Sequence, residues 1–191
     1  INFPDDYYGK WKILFGHPAD FTPVCSTEIM GLAEISDEFK ERNTQIVVMS
    51  TDRIGSHIAW VQSLENIQIP DRKPIKVNFP IVSDPELHVS KMYGMIHPAN
   101  SKTRDIRGVF IIDSDNKIRA SIFYPSSTGR NLNEILRVLD ALQLSDKKNV
   151  FTPVNWEMGD DVLIPGPLSI EESKKLEQKK DPNLYSLDWY L

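Results

Sequence analysis

The sequence predicts an α/β fold: a mixed central sheet flanked by helices, followed by a smaller C-terminal extension. Three observations carry this expectation. Two apolar runs, Trp11-Lys12-Ile13-Leu14-Phe15-Gly16 and Gln45-Ile46-Val47-Val48-Met49-Ser50, enclose a segment of helical period, the pattern of a β-α-β unit with strands covered on both faces. Residues 107–112 and 117–124 flank Asp113-Ser114-Asp115-Asn116 and read as an antiparallel hairpin, which makes the sheet mixed. Beyond Lys147, Pro153, Pro165, Pro167 and Pro182 interrupt short segments that cannot bury much core alone.

The first strand should end at Gly16 and Pro18, because proline cannot donate to a central ladder. A loop then leads to Thr22, a good N-cap, and to Pro23, whose missing N–H costs nothing at the first helical position. The helix that starts there should continue through Ile29, Leu32, Ala33, Ser36 and Phe39 and stop near Asn43. After the 45–50 strand, a helix is expected over 54–65 and a loop over 67–78, where Pro70 and Pro74 fall. Phe79-Pro80-Ile81-Val82 resumes a strand. Asp84 and Pro85 should open a brief helix towards Met92 that ends at Gly94. Past a loop over 95–106 and the hairpin, Leu132, Ile135, Leu136, Leu139 and Leu142 define an amphipathic helix over 131–142. The expected division is a main domain over 1–145 and an extension over 146–191. The extension carries a polar helix over 169–179 and packs on its own domain or on a second subunit, which points to a homodimer.

A net charge of -5 gives no cationic footprint for nucleic acid. No stretch approaches the roughly 18 apolar residues of a membrane span, and Ile1-Asn2-Phe3 opens neither a signal nor a transit peptide, so a soluble, cytoplasmic protein is expected. Cys25 is the one cysteine, which excludes an internal disulfide framework. His57, His88 and His97 lack ligand spacing, so no metal is expected, and nothing calls for a cofactor.

Cys25 falls in the first turn of its helix, where free backbone N–H groups and the helix dipole favour an anion and should lower a thiol pKa. Taken alone, a single cysteine is as well read as a small buried hydrophobe. A strand, a loop and a helix N-terminus carrying the cysteine is instead the arrangement of thioredoxin-like redox sites, with Thr22 standing where a second cysteine would be. The Thr22 hydroxyl could cap the helix or donate towards the sulfur or an oxygen beside it.

Pro18-Ala19-Asp20-Phe21-Thr22-Pro23-Val24-Cys25 resembles the proline, threonine and peroxidatic-cysteine motif of the peroxiredoxins. The resemblance continues through Arg107 and its strand, Thr128-Gly129-Arg130-Asn131 and Thr152-Pro153-Val154-Asn155-Trp156, and is greatest to the one-cysteine group with a C-terminal extension. It implies a thioredoxin-like fold and a peroxidase that reduces hydrogen peroxide and organic hydroperoxides through a Cys25 sulfenic acid. It also implies that Thr22 bonds the peroxide and the sulfur, that Pro18 shields the site and that Arg107 polarises the thiolate. Arg130 resembles a second site arginine of the family, though it could equally cap or pair at the start of its helix. His17 matches a histidine of the one-cysteine group, with tuning of the site and a structural hydrogen bond both open. The family also has a further N-terminal β segment ahead of the first strand.

Without a second cysteine, the sulfenic acid needs an external thiol, glutathione or a thioredoxin-type partner, and excess peroxide would drive it to sulfinic acid. Some one-cysteine relatives carry a lipase-like Gly-x-Ser-x-Gly segment; here the stretch is Tyr8-Gly9-Lys10-Trp11-Lys12, without a serine. Two alternatives use the same cysteine: a peroxide sensor whose oxidation alters a partner interface, and a scaffold with an inert, buried Cys25.

Overall fold

The structure, a computed structural model, describes residues 1–70, 73–167 and 169–172. The chain divides into two compact units, Ile1–Asn133 and Glu134–Leu191. In the first unit β1 (Trp11–Gly16), β2 (Thr44–Ser50), β3 (Ile81–Ser83), β4 (Arg107–Ile112) and β5 (Ile118–Tyr124) form one five-stranded sheet in the order β3-β2-β1-β4-β5. β1 pairs parallel with β2 and antiparallel with β4, and β4 pairs antiparallel with β5, so the sheet is mixed as the sequence predicts.

β1 and β4 are the central strands, and every residue of both is buried, including Lys12 and Arg107. Their period of two sorts side chains between the faces. Leu14, Val47, Met49, Phe110 and Ile112 join Met95 and Ile106 in one core cluster, while Phe15, pairing with Val48 and Val109, lies on the other face. Burying a side chain such as Phe15 contributes about 1.5–3 kcal/mol.

α1 (Pro23–Glu34) starts where the sequence places it, but the single helix expected as far as Asn43 is two: α1 and α2 (Ser36–Glu41). Ile35 leaves helical geometry at φ -105 and ψ 13, and the Ser36 hydroxyl bonds back to the Ala33 carbonyl, the competition with the ladder that serine offers inside a helix. α3 (Ile54–Asn66) agrees with the expectation. The short strand shifts to Ile81–Ser83.

The next helix, α4 (His88–Met92), starts three residues later than read, because Leu87 takes the left-handed conformation at φ 61 and serves as N-cap. Asp84 still caps it: its carboxylate accepts from the amides of His88 and Ser90 and from the Ser90 hydroxyl.

α5 (Leu132–Lys148) runs beyond the predicted 131–142. In the second unit Arg137 pairs with Glu134 and donates to the Trp156 carbonyl, Trp156 is buried, and Phe151 and Leu163 form an isolated antiparallel bridge. Of the polar helix expected over 169–179, residues 173–179 lie outside the described residues. Among the described residues, no helix is long and apolar enough to cross a membrane.

Candidate active site

The sequence places Cys25 at the third position of α1 after the Thr22 N-cap and Pro23, and the structure keeps it there, with no surface exposed. The first helical hydrogen bond runs from the Ser26 amide to the Thr22 carbonyl, so the Val24 and Cys25 amides belong to the first turn and have no intrahelical acceptor. Thr22 has the extended backbone of an N-cap but makes no side-chain cap bond; its hydroxyl donates to the Ala19 carbonyl at 2.8 Å. Its proton being committed, Oγ1 is left as an acceptor. That corrects the expectation that the hydroxyl caps the helix or donates to the sulfur.

Arg107, the first residue of β4, directs Nη1 to within 3.3 Å of Cys25 Sγ. The same nitrogen donates to Glu28 Oε2 at 2.7 Å, and Nε and Nη2 both donate to the Ser126 carbonyl, at 3.1 and 2.6 Å. Three points of attachment hold the guanidinium at the sulfur.

Glu28 is a site residue that the sequence reading missed. One helical turn after Cys25, and buried, it also accepts from the Arg130 amide and Nε on Oε1 and from Arg130 Nη2 on Oε2. A carboxylate at the Cys25+3 position, directly before apolar Ile29 and Met30, lies on the stripe that must face the core; that was the available signal. Arg130 gives Nη1 to the carbonyls of Gly16 and Gly108 and lies over the Phe15 ring, 3.2 Å from its centroid. Its donors therefore serve Glu28 and two strand ends, and it bears on the sulfur through Glu28 and Arg107. Burial brings its pKa down to about 10, against the opposing pull of Glu28. Two guanidinium groups share one carboxylate, so the cluster around the sulfur carries one uncompensated positive charge.

Pro18 stands half-buried in the loop between β1 and α1. His17 is fully buried with its ring 5.0 Å from that of Trp60, and burial brings its pKa down to about 3 despite the attraction of Asp20. It is neutral at physiological pH, so its 3.6 Å approach to Asp20 is not an ion pair. Burial pushes the Asp20 carboxyl up, but hydrogen bonds from His57 and Ser56 and the nearby imidazoles outweigh it, and its pKa lies below the ordinary value. His57 Nδ1 accordingly donates to Asp20 Oδ2, at 2.8 Å.

A buried cysteine at a helix N-terminus, in contact with an arginine that projects from a strand of a thioredoxin-like mixed sheet, defines a thiol-based redox enzyme. Residues 4–121 match the AhpC/TSA family and residues 141–180 match the C-terminal domain of 1-Cys peroxiredoxin. The chain belongs to the AhpC/TSA family and is a thiol peroxidase of the 1-Cys peroxiredoxin kind. It is 47% identical over 192 residues to a peroxiredoxin of Methanosarcina mazei, covering 100% of this chain and 88% of that one. A 1-Cys peroxiredoxin of Dictyostelium discoideum is 43% identical over 186 residues, covering 97% and 75%. Among solved structures, the yeast mitochondrial 1-Cys peroxiredoxin, described as resolved through glutathione/thioredoxin systems, matches with a TM-score of 0.80 at 41% identity, over 92% of this chain and 83% of that one. Peroxiredoxin 6 of Arenicola marina matches with a TM-score of 0.80 at 35% identity, over 92% and 80%.

Proposed function

We propose that Cys25 is the peroxidatic nucleophile for hydrogen peroxide and organic hydroperoxides, with Arg107 as its electrostatic partner. The observation that carries this reading is the 3.3 Å approach of Arg107 Nη1 to Cys25 Sγ inside a buried cluster that lacks one negative charge. The thiolate attacks one peroxide oxygen, the O–O bond breaks, and the departing alkoxide or hydroxide takes a proton and leaves as alcohol or water. Arg107 and the first-turn amides of α1 lie where that negative charge passes. The Thr22 oxygen, its own proton committed to Ala19, accepts from the hydroperoxide O–H. Pro18 shields the loop side of the site, Glu28 and Arg130 hold Arg107 in place, and His17 serves as a neutral packing element.

The product is a Cys25 sulfenic acid, which an external thiol reduces. Glutathione and thioredoxin-type proteins are the reductants this reading favours, in line with the yeast relative. A cytoplasmic homodimer, with the segment over 146–191 associated with the partner subunit, completes it. The sensor alternative keeps the same oxidation step without turnover.

Stopped-flow oxidation of the reduced protein by hydrogen peroxide, with Cys25→Ser as control and a sulfenic-acid trap, tests the assignment. Fast trapping that depends on Cys25 is the expected result. Oxidation no faster than that of a free thiol would overturn it, and fast oxidation without turnover on glutathione or thioredoxin would favour the sensor.

A further inference from the structure

Two buried side chains one turn apart on α3 reach the chain on either side of the reactive cysteine. His57 Nδ1 holds Asp20 Oδ2 at 2.8 Å, both side chains being almost wholly buried. Trp60 Nε1 donates to Ser26 Oγ at 3.2 Å. Asp20 precedes Cys25 in the loop, and Ser26 follows it directly in α1. The reaction sequence above uses neither His57 nor Trp60.

The loop between these two anchors is under strain. Phe21 sits at φ 54, in the left-handed region that disfavours a bulky side chain and persists only where the surroundings impose it. Its own ring is exposed, so it supplies no such restraint. The restraint comes from either side: the Asp20 amide donates to Asp52 Oδ2 at 2.7 Å, the Asp20 carboxylate is held by His57, and the Thr22 hydroxyl closes on Ala19.

Cys25 exposes no surface, yet its sulfenic acid must be met by the sulfur of an external thiol. In that step the thiol sulfur attacks the sulfenic sulfur, an S–S bond forms, the S–O bond breaks, and the oxygen leaves as water with the thiol's proton. A small hydroperoxide and a bulky thiol therefore need different states of the Cys25 turn, one closed against Arg107 and one opened.

Resting on the peroxidatic role of Cys25, we propose that His57 and Trp60 are positioning residues. They clip the turn against Arg107, and the strength of the clip divides the enzyme's time between the closed, peroxide-reactive state and the opened state that a thiol reaches. Weakening the clip moves the two half-reactions in opposite directions. A general loss of structure would slow both.

Trp60→Phe keeps the ring beside His17 and removes only the N–H donor; Ser26→Ala removes the acceptor of the same bond. Each is expected to raise the opened population about fivefold, the scale of one hydrogen bond, and so to speed glutathione reduction of the preformed sulfenic acid and iodoacetamide labelling of the reduced protein by about that factor, while hydrogen peroxide reduction, which uses the predominant closed state, slows by less than about twofold. The double variant should go no further than either single one. His57→Ala should act in the same sense, and His57→Asn, whose amide nitrogen falls near the Nδ1 position, should restore both rates. If His57→Ala does not fold, Trp60→Phe decides. Rates that are unchanged, or that fall together, overturn the clip. Should the wild-type protein fail to react rapidly with peroxide, the peroxidatic reading falls separately; labelling of Cys25 then judges the clip alone, a rise in Trp60→Phe supporting it and no rise overturning it.

Discussion

Arg107→Gln separates catalysis from scaffold. The guanidinium stands 3.3 Å from Cys25 Sγ, and at an effective dielectric of about 20 a unit charge pair at that distance interacts by about 5 kcal/mol, an upper limit on what its loss removes. Single electrostatic donors in comparable sites are worth about 100- to 1000-fold in rate, so the second-order rate constant with hydrogen peroxide should fall by that factor. Stability should change far less. Glu28 keeps its bonds to the Arg130 amide, Nε and Nη2, so no buried carboxylate is left without a cation, and the expected cost is about 1–3 kcal/mol. The assay is stopped-flow oxidation followed by sulfenic trapping, with circular dichroism and a denaturant melt on the same sample. A variant that melts like the wild type and oxidises within about threefold of it would refute the assignment, since no donor of the usual strength would then be acting at the sulfur.

Glu28→Gln reverses that balance: two guanidinium groups lose their shared counter-charge in a buried site, and a loss of about 3–5 kcal/mol in a urea melt is expected. His17 has its pKa lowered by burial to about 3, so its contribution to stability is complete above pH 6.5 and is lost as pH falls towards 3; His17→Asn should flatten that loss, worth at most about 3 kcal/mol in melts between pH 7 and 4. Asp105 has the opposite sign: burial, reinforced by Asp84 and opposed by Ser90, raises its pKa to about 7, so stability is lost as pH rises from about 4 to 7. Asp105→Asn should be the more stable protein at pH 8, by at most about 4 kcal/mol.

The sheet was legible because its strands announce themselves twice, by apolar runs and by the breakers that end them: Gly16 and Pro18 after β1, and the Asp113–Asn116 turn between β4 and β5. The cysteine, its helix start and Arg107 were legible for the same local reason, or through resemblance. The helix after Cys25 was misread at Ile35 because its apolar stripe continues in phase across the break, and hydrophobic period does not register a local serine bond. Asp84 was identified as a cap and keeps the amides of His88 and Ser90, but Leu87 turning left-handed delays the helix start to His88, and leucine carries no local signal for that conformation. The polar half of the site was the hardest to read. Glu28, Ser126, Asp20 with His57, and Ser26 with Trp60 are pairings across 19 to 79 residues of chain, set by tertiary packing and not by spacing.

Gly16 shows how closely site and core are joined. It ends β1 with its carbonyl accepting from Arg130 Nη1 on one side of the sheet. On the other side its missing side chain makes room for Met95, whose sulfur would lie 2.5 Å from a Cβ at that position and 3.0 Å from one at Gly108. Met95 is fully buried and belongs to the core cluster, so it has little room to yield. Gly16→Ala should therefore cost about 1–3 kcal/mol by overpacking. Because Gly16 and Gly108 both anchor Arg130, and Arg130 holds Glu28, the strain should reach Arg107 and slow Cys25 oxidation as well. Shortening the partner tests the route. In Gly16→Ala with Met95→Val, relief of the clash should recover both stability and oxidation rate relative to Gly16→Ala alone, a coupling measurable in a double-mutant cycle. Recovery of stability without recovery of rate would mean that Arg130 does not transmit packing to the sulfur, and the chain of contacts from Met95 to Cys25 would be broken at that point.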